Sequence, residues 1–224
     1  MYLNHKCSHS ECNRLSISTI DRKGNLIENS GFCYKHTKDI ESEKKKIQEY
    51  ILNNEKIIGL NAIGFTFSDL DFSNKKFYGC NFSHCFFHGI KSKSLRFRMC
   101  NFDFTVFTDC NMIESNMQFT SFAGAKFIHI LFTGSDLIHN NFCGISSLQS
   151  SFDDSDLYNS RFIKARLVDT SFRNCNIKKT IFCDIQKNNI SFKMSNTNEA
   201  IFDERGSAPF TGKSELDVTN GEAE

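Results

Sequence analysis

Cys7, Cys12, Cys33 and His36 are spaced C-x4-C-x20-C-x2-H, and no other group of side chains in the sequence reads as strongly as a chemical site. Three thiolates and an imidazole are the donors a tetrahedral zinc ion takes, two from each of two turns. His9, inside the first pair, is an alternative ligand. Residues 16–20 and 25–27 flank Asp21, Arg22, Lys23 and Gly24 and read as a β-hairpin that brings the two pairs together. A head of 36 residues has little apolar core of its own, so a structural zinc ion would stabilise it where burial cannot. The competing reading is a set of ordinary thiols beside a histidine.

The elements that position these residues follow from a period of five. Stepping by five from Phe67 to Phe202 visits 28 positions; 18 are Phe, and Met112, Met117, Leu137, Leu157, Leu167 and Ile177 are also apolar. Ser92, Ser147, Lys187 and Thr197 interrupt the column, yet Phe97, Phe152, Phe192 and Phe202 return on schedule. The interruptions are therefore substitutions, not insertions. Neither a helix, at about 3.6 residues per turn, nor a strand, at about 2.0, produces this spacing.

Two residues before each large position runs a column of small side chains, among them Cys80, Cys100, Cys110, Ala125, Ser155, Ala165 and Cys175. Between the two columns Asn or Asp recurs, as at Asp71, Asn81, Asn101, Asn111, Asp136, Asn141, Asp156 and Asn176. That is turn chemistry. Cys80, Cys85, Cys100, Cys110 and Cys175 read as inward packing residues. His84 and His88 face away from Cys85, so these three make no ligand set. Cys143 and Cys183 point outward two coils apart, too far for a disulfide.

The units CNFSH (80–84), CNFDF (100–104), SDLYN (155–159) and CNIKK (175–179) resemble the A-(D/N)-(L/F)-X-X motif of the pentapeptide-repeat family, over about 139 of 224 residues. The resemblance implies an all-β solenoid, a right-handed quadrilateral β-helix with four pentads per coil and about seven coils stacked about 4.8 Å apart. One face would carry Phe82, Phe102, Phe122, Phe142, Phe162, Phe182 and Phe202 as an unbroken ladder. The resemblance also raises homodimerisation through an end of the rod. Because some family members mimic duplex DNA, it raises modulation of a type II topoisomerase such as gyrase. Mimicry asks for an acidic rod, whereas residues 60–203 carry 15 Lys and Arg against 13 Asp and Glu.

The expected organisation is a zinc-knuckle-like head (1–36), a capping α-helix (37–59), the β-helix (60–203) and a flexible tail (204–224). Thr37 or Asp39 can cap the helix, and Ile40, Ile47, Ile51 and Ile58 recur near helical spacing, so it should cover the first coil. From Glu204 onward the chain has five acidic and two basic residues with Gly206, Pro209, Gly212 and Gly221 among them, the composition of a disordered segment.

A net charge of +1 gives no global polyelectrolyte character. Residues 1–14 lack the apolar core of a secretory signal, and no run approaches the roughly 20 apolar residues of a membrane span, so the expected location is the cytoplasm with reduced thiols. Two outward groups stand out. Lys75, Lys76, Lys91, Lys93, Arg96 and Arg98 gather on the first two coils and could meet phosphate or an acidic partner, although a solvated face is the simpler reading. Ile128, Leu148 and Val168 fall in one outward column, with Phe86 and Val106 in another, a pattern typical of a contact surface. No Ser-His-Asp set, phosphate-cradling loop or buried carboxylate pair can be assembled, and the rod has no concave pocket of the usual kind. The expectation is a non-enzymatic protein-interaction scaffold, with nucleic-acid binding through the head and basic group as an alternative.

Overall fold

Where Asn, Asp or Ser precedes the central position, the pentad's turn is often closed by that side chain. Asp71 Oδ1 accepts the Ser73 N–H at 2.8 Å, Asn101 Oδ1 that of Asp103 at 2.7 Å, and Asp156 Oδ1 that of Tyr158 at 2.9 Å. Two residues after each central position from Ile57 to Phe192 the backbone is left-handed, at Asn74 (φ 61), Asp154 (φ 57) and Asn159 (φ 55), for example. Asn, Asp and Gly tolerate that conformation. Phe104 (φ 58) and Phe119 (φ 54) occupy it too, at a cost of about 1–2 kcal/mol each.

The computed structural model describes residues 5–202. The tail expected at residues 204–224 lies outside them. The four turns of a coil define four faces, named here by their first Phe. On the Phe67 face seven parallel strands stack, at Thr66–Ser68, Phe86–His88, Val106–Thr108, Lys126–Ile128, Ser146–Leu148, Arg166–Ser171 and Gln186–Ser191. On the Phe77 face four strands pair, at Lys56–Ile58, Lys76–Tyr78, Arg96–Arg98 and Asn116–Gln118. The Phe72 and Phe82 faces are joined mostly at single bridges, such as Asp71 to Lys91 and Asn81 to Asn101, and in the last coils by longer pairings, Thr170 and Ser171 with Ile190 and Ser191 and Ile181–Phe182 with Ile201–Phe202. Every pairing between coils of the rod links residues 20 apart, so equivalent side chains lie directly above one another.

The central column forms the core. Phe82, Phe102, Phe122, Phe142, Phe162 and Phe182 are buried, with stacked rings 4.7–5.2 Å apart from coil to coil. The small column does more than fill space. Thr105 Oγ1, Ser155 Oγ and Thr180 Oγ1 each donate to the carbonyl of a central residue one coil below, Phe82, Phe132 and Leu157, at 2.7–3.0 Å. Cys85 and Cys175 thiols make the same bond to Ala62 and Phe152 at 3.0 Å. Small donors recur there because an unpaired buried carbonyl is costly. Ser92 and Ser147 hold register inside, whereas Lys187, in the last coil, turns outward to solvent.

The helix is shorter than expected, Ile40–Asn53 rather than 37–59. Asp39 caps it by accepting the Ser42 N–H at 3.0 Å, and the Lys75 ammonium donates to the Leu52 and Asn54 carbonyls at its other end. Ile58 belongs to the rod: Lys56–Ile58 pairs with Lys76–Tyr78, and Ile57 and Ala62 extend the central column two pentads toward the N-terminus. Ile47 and Ile51 on the helix join the same core.

The head completes the end of the rod. Thr19–Ile20 and Leu26–Ile27 form the expected antiparallel hairpin. Ser18 N–H donates to the Asn61 carbonyl, Asn61 N–H to Ser18 Oγ, and Asn61 Nδ2 to the Ser16 carbonyl, at 2.6–2.8 Å. Residues 16–18 are thereby laid on the first coil, with Ile17 fully buried.

Candidate metal centre and contact surfaces

Two short knuckles carry the Cys and His side chains. Lys6 bridges to Leu15, and the Cys7 N–H meets the Arg14 carbonyl at 2.8 Å, closing the loop that bears Cys7 and Cys12. His36 and Thr37 N–H both turn back to the Cys33 carbonyl, at 2.9 and 3.0 Å, closing the second. Ser8 N–H to Gly31 O, 2.8 Å, joins the two.

The ligand atoms of Cys7, Cys12, Cys33 and His36 all lie within 4.8 Å of one another. Cys12 Sγ is 3.9 Å from Cys33 Sγ, and His36 Nδ1 is 3.3 Å from Cys7 Sγ and 3.6 Å from Cys33 Sγ. A tetrahedral ion with Zn–S of about 2.3 Å and Zn–N of about 2.0 Å has edges of about 3.8 Å between sulfurs and about 3.6 Å between sulfur and nitrogen. The donor set fits that tetrahedron. His9 is not the fourth donor; its ring stacks on His36 with centroids 3.9 Å apart and its Nδ1 donates to the Ser10 carbonyl, which orients His36.

The local field suits thiolates unevenly. Burial pushes the Cys7 thiol up, but N–H groups of Cys33 and His9, with the His36 ring, outweigh it and bring the pKa down to about 6. Cys33 is pushed up, chiefly by burial and further by the Cys7 and Cys12 thiols, against the N–H groups of His36 and Lys35. A metal ion would release the remaining protons as it bound.

The outward apolar residues fall on one surface. Phe86 pairs with Val106, and Ile128 with Leu148 and then Val168, all on the seven-stranded Phe67 face, in two rows either side of the buried central column. Phe86 and Leu148 are 39% and 38% exposed; the other three are half-buried. The basic group is divided. Lys76, Arg96 and Arg98 stand on the Phe77 face, and Lys91 and Lys93 on the Phe72 face, because successive pentads turn a corner. Lys76 is paired with Glu55 and Lys93 with Glu114, and Arg98 donates to Gln118 and Asn116. The expected single basic patch is therefore two adjoining, partly neutralised sets.

Sequence reading did not find the exposed aromatic corners. Phe104 stacks on His84 (5.3 Å) and Phe119 on His139 (4.9 Å), with Phe104 61% and Phe119 53% exposed. Nor did it find Asp109 Oδ1 bonded to His129 Nδ1 at 2.9 Å, which raises the His129 pKa. Stacking at an interval of 20 residues is the signal that would have found both. Among the described residues no helix is long and apolar enough to cross a membrane.

The architecture is that of a β-solenoid repeat protein. A family model, "Pentapeptide repeats (8 copies)", matches residues 100–137 and 149–185. The chain thus carries pentapeptide repeats over those residues, with a Cys/His cluster at its N-terminal end. Similar solved structures include the pentapeptide-repeat protein Rfr23 from the cyanobacterium Cyanothece 51142, 11% identical, covering 71% of this chain and 99% of that one at a TM-score of 0.39. QnrB1, a plasmid-mediated fluoroquinolone resistance protein, is 20% identical, covering 75% and 89% at a TM-score of 0.33. HetL, involved in heterocyst differentiation regulation in the cyanobacterium Nostoc sp. strain PCC 7120, is 12% identical, covering 71% and 97% at a TM-score of 0.24. No curated protein matches the chain.

Proposed function

We propose that this chain is a non-enzymatic protein-interaction scaffold of the cytoplasm, in which a zinc-stapled head and a helix cap a rigid rod and one face of the rod docks a protein partner. The division into head, helix, rod and tail is part of this reading, with the rod beginning at Lys56. The observation that carries it is the flat Phe67 face, where Phe86, Val106, Ile128, Leu148 and Val168 present apolar side chains outward from one continuous parallel sheet. Exposed apolar groups gathered on one rigid surface favour a partner over water. The Cys3His cluster supports zinc through its donor types and edge lengths. Bound there, zinc supplies cross-linking: Cys7, Cys12, Cys33 and His36 would tie the two knuckles to each other and hold residues 16–18 on the first coil. The near balance of charge on the rod weighs against DNA mimicry.

Quantitative affinity capture from the source cells tests this, using the intact chain, Phe86→Asp with Leu148→Asp, and Ile163→Asp on the Phe82 face as a control. The reading expects a partner recovered by the intact chain and by the control, and recovered about tenfold less by the paired variant. Equal recovery by all three removes the Phe67 face from the account.

A further inference from the structure

The Phe77 face, used by neither the metal centre nor the apolar rows of the Phe67 face, carries its charge in a definite order. Coil by coil, the outward residue before the central position is Lys56, Lys76, Arg96, Asn116, Asp136, Asp156 and Asn176. Parallel pairings join each of these to the next, so they form one stack. Basic side chains fill one half of it and acidic side chains the other, with Asn116 at the midpoint.

Little of this charge is used within the chain. Lys76 is paired with Glu55, but among the described residues Arg96, Asp136 and Asp156 make no ion pair. Asp136 accepts from Asn116 Nδ2 at 2.8 Å and Asp156 from Asn176 Nδ2 at 3.0 Å, which are amides rather than cations. Like charges directly opposite in a ladder repel. A partner presenting the reverse order would relieve both halves of the stack.

A second copy turned end for end presents that order. A half-turn about a line along the Asn116–Gln118 strand sets Arg96 against the partner's Asp136 and Lys76 against the partner's Asp156, a self-matching contact of the two-fold kind. The neighbouring columns obey the same symmetry. Tyr78 and Tyr158 follow the central residues two coils either side of Gln118, so each meets the other's copy. At the adjoining corner Met99 and Phe119 are more than half exposed, and the Phe119 ring is stacked on His139. The half-turn lays Phe119 on the partner's Phe119 and Met99 on the partner's His139, which takes this apolar edge out of water. At the opposite corner Glu114 would approach its own copy, but it is paired with Lys93.

We infer that the Phe77 face is the interface of an antiparallel, side-by-side homodimer, with Arg96 and Lys76 of each chain on Asp136 and Asp156 of the other. It is separate from the Phe67 face and from contact through an end of the rod, which would leave the Phe77 face in water. Exposed ion pairs are individually weak and are screened by salt, so the dimer should dissociate on dilution and as salt is raised.

The first arm of the test uses the full chain with a photoreactive benzophenone side chain in place of Tyr78. Within one chain Tyr158 is four coils away, about 19 Å at about 4.8 Å per coil, beyond the reach of that group. Irradiation should therefore join chains in pairs, with the cross-link at or beside Tyr158. Cross-links to residues 76–98 of the second chain, as in a parallel pair, cross-links to other faces, or none at any concentration overturn the assignment. The second arm measures sedimentation equilibrium. Arg96→Glu and Asp136→Lys should each weaken dimerisation about tenfold, and an equal mixture of the two should associate about tenfold more tightly than either alone, because unlike charges then meet at both pairs. Self-association unchanged by either substitution, or no gain on mixing variants whose circular dichroism matches the unaltered chain, overturns it; the first arm decides the matter whether or not these variants fold.

Discussion

Replacing Phe142 by Ala removes the middle of the Phe82-face ladder. Phe142 is fully buried, stacks on Phe122 at 5.2 Å and Phe162 at 4.7 Å, and meets Phe127 and Phe152 edge-on at 6.3 and 5.8 Å. A buried Phe-to-Ala change costs about 3–5 kcal/mol, and ring pairs add about 0.5–1.5 kcal/mol beyond burial. Coils above and below are held at a fixed spacing by backbone bonds, such as Phe142 N–H to Arg161 O at 2.7 Å, so the void cannot collapse. The cost should therefore sit near the upper end, about 5 kcal/mol. Phe202→Ala, at a position only half-buried, should cost about 2 kcal/mol. Urea unfolding followed by circular dichroism reads both: at a slope of about 2–3 kcal/mol per molar, Phe142→Ala should move the midpoint down by about 2 M. Because each coil contacts only its neighbours, the central variant should also broaden the transition. Equal costs at the two positions would refute the continuous-ladder reasoning.

Three further outcomes follow from the same geometry. Burial pushes the Cys110 thiol up to about 11 and those of Cys85 and Cys175 up to about 12, so the folded rod keeps protons that the unfolded chain releases above about 9. Stability should then fall as pH rises from about 9 toward 12, and less steeply in Cys85→Ser with Cys175→Ser, as urea titrations at pH 8, 9.5 and 10.5 would show. Asn61→Ala frees the Ser16 carbonyl and should cost about 2 kcal/mol, with amide exchange at residues 16–18 accelerating well before exchange in the rod. Phe119→Asn replaces a bulky residue at φ 54 with one that tolerates it, and should raise stability by up to about 1 kcal/mol in thermal unfolding despite losing the His139 stack.

The rod was legible because one side chain of constant size returns every five residues, and a period survives isolated substitutions such as Ser92 and Ser147. Its start was not, since Ile57 lies inside a stretch whose Ile spacing also satisfies a helix. The pairing of Lys56–Ile58 with Lys76–Tyr78 is a contact that local pattern does not encode. The grouping of Cys7, Cys12, Cys33 and His36 was readable from donor types and spacing, whereas leaving out His9 depended on its ring lying flat on His36. The basic group looked continuous along the chain but straddles a corner, where neighbouring pentads face different directions. Phe104 and Phe119 gave no warning either, as their left-handed backbone is imposed by the coil against their own preference.

The metal content of protein purified without chelator, measured together with its native mass, tests most directly whether the head is a metal-fixed cap. The account predicts about one zinc per chain, lost in Cys33→Ser with a lower thermal midpoint as residues 16–18 come off the first coil. Folded protein with all four side chains intact and no bound metal would contradict it.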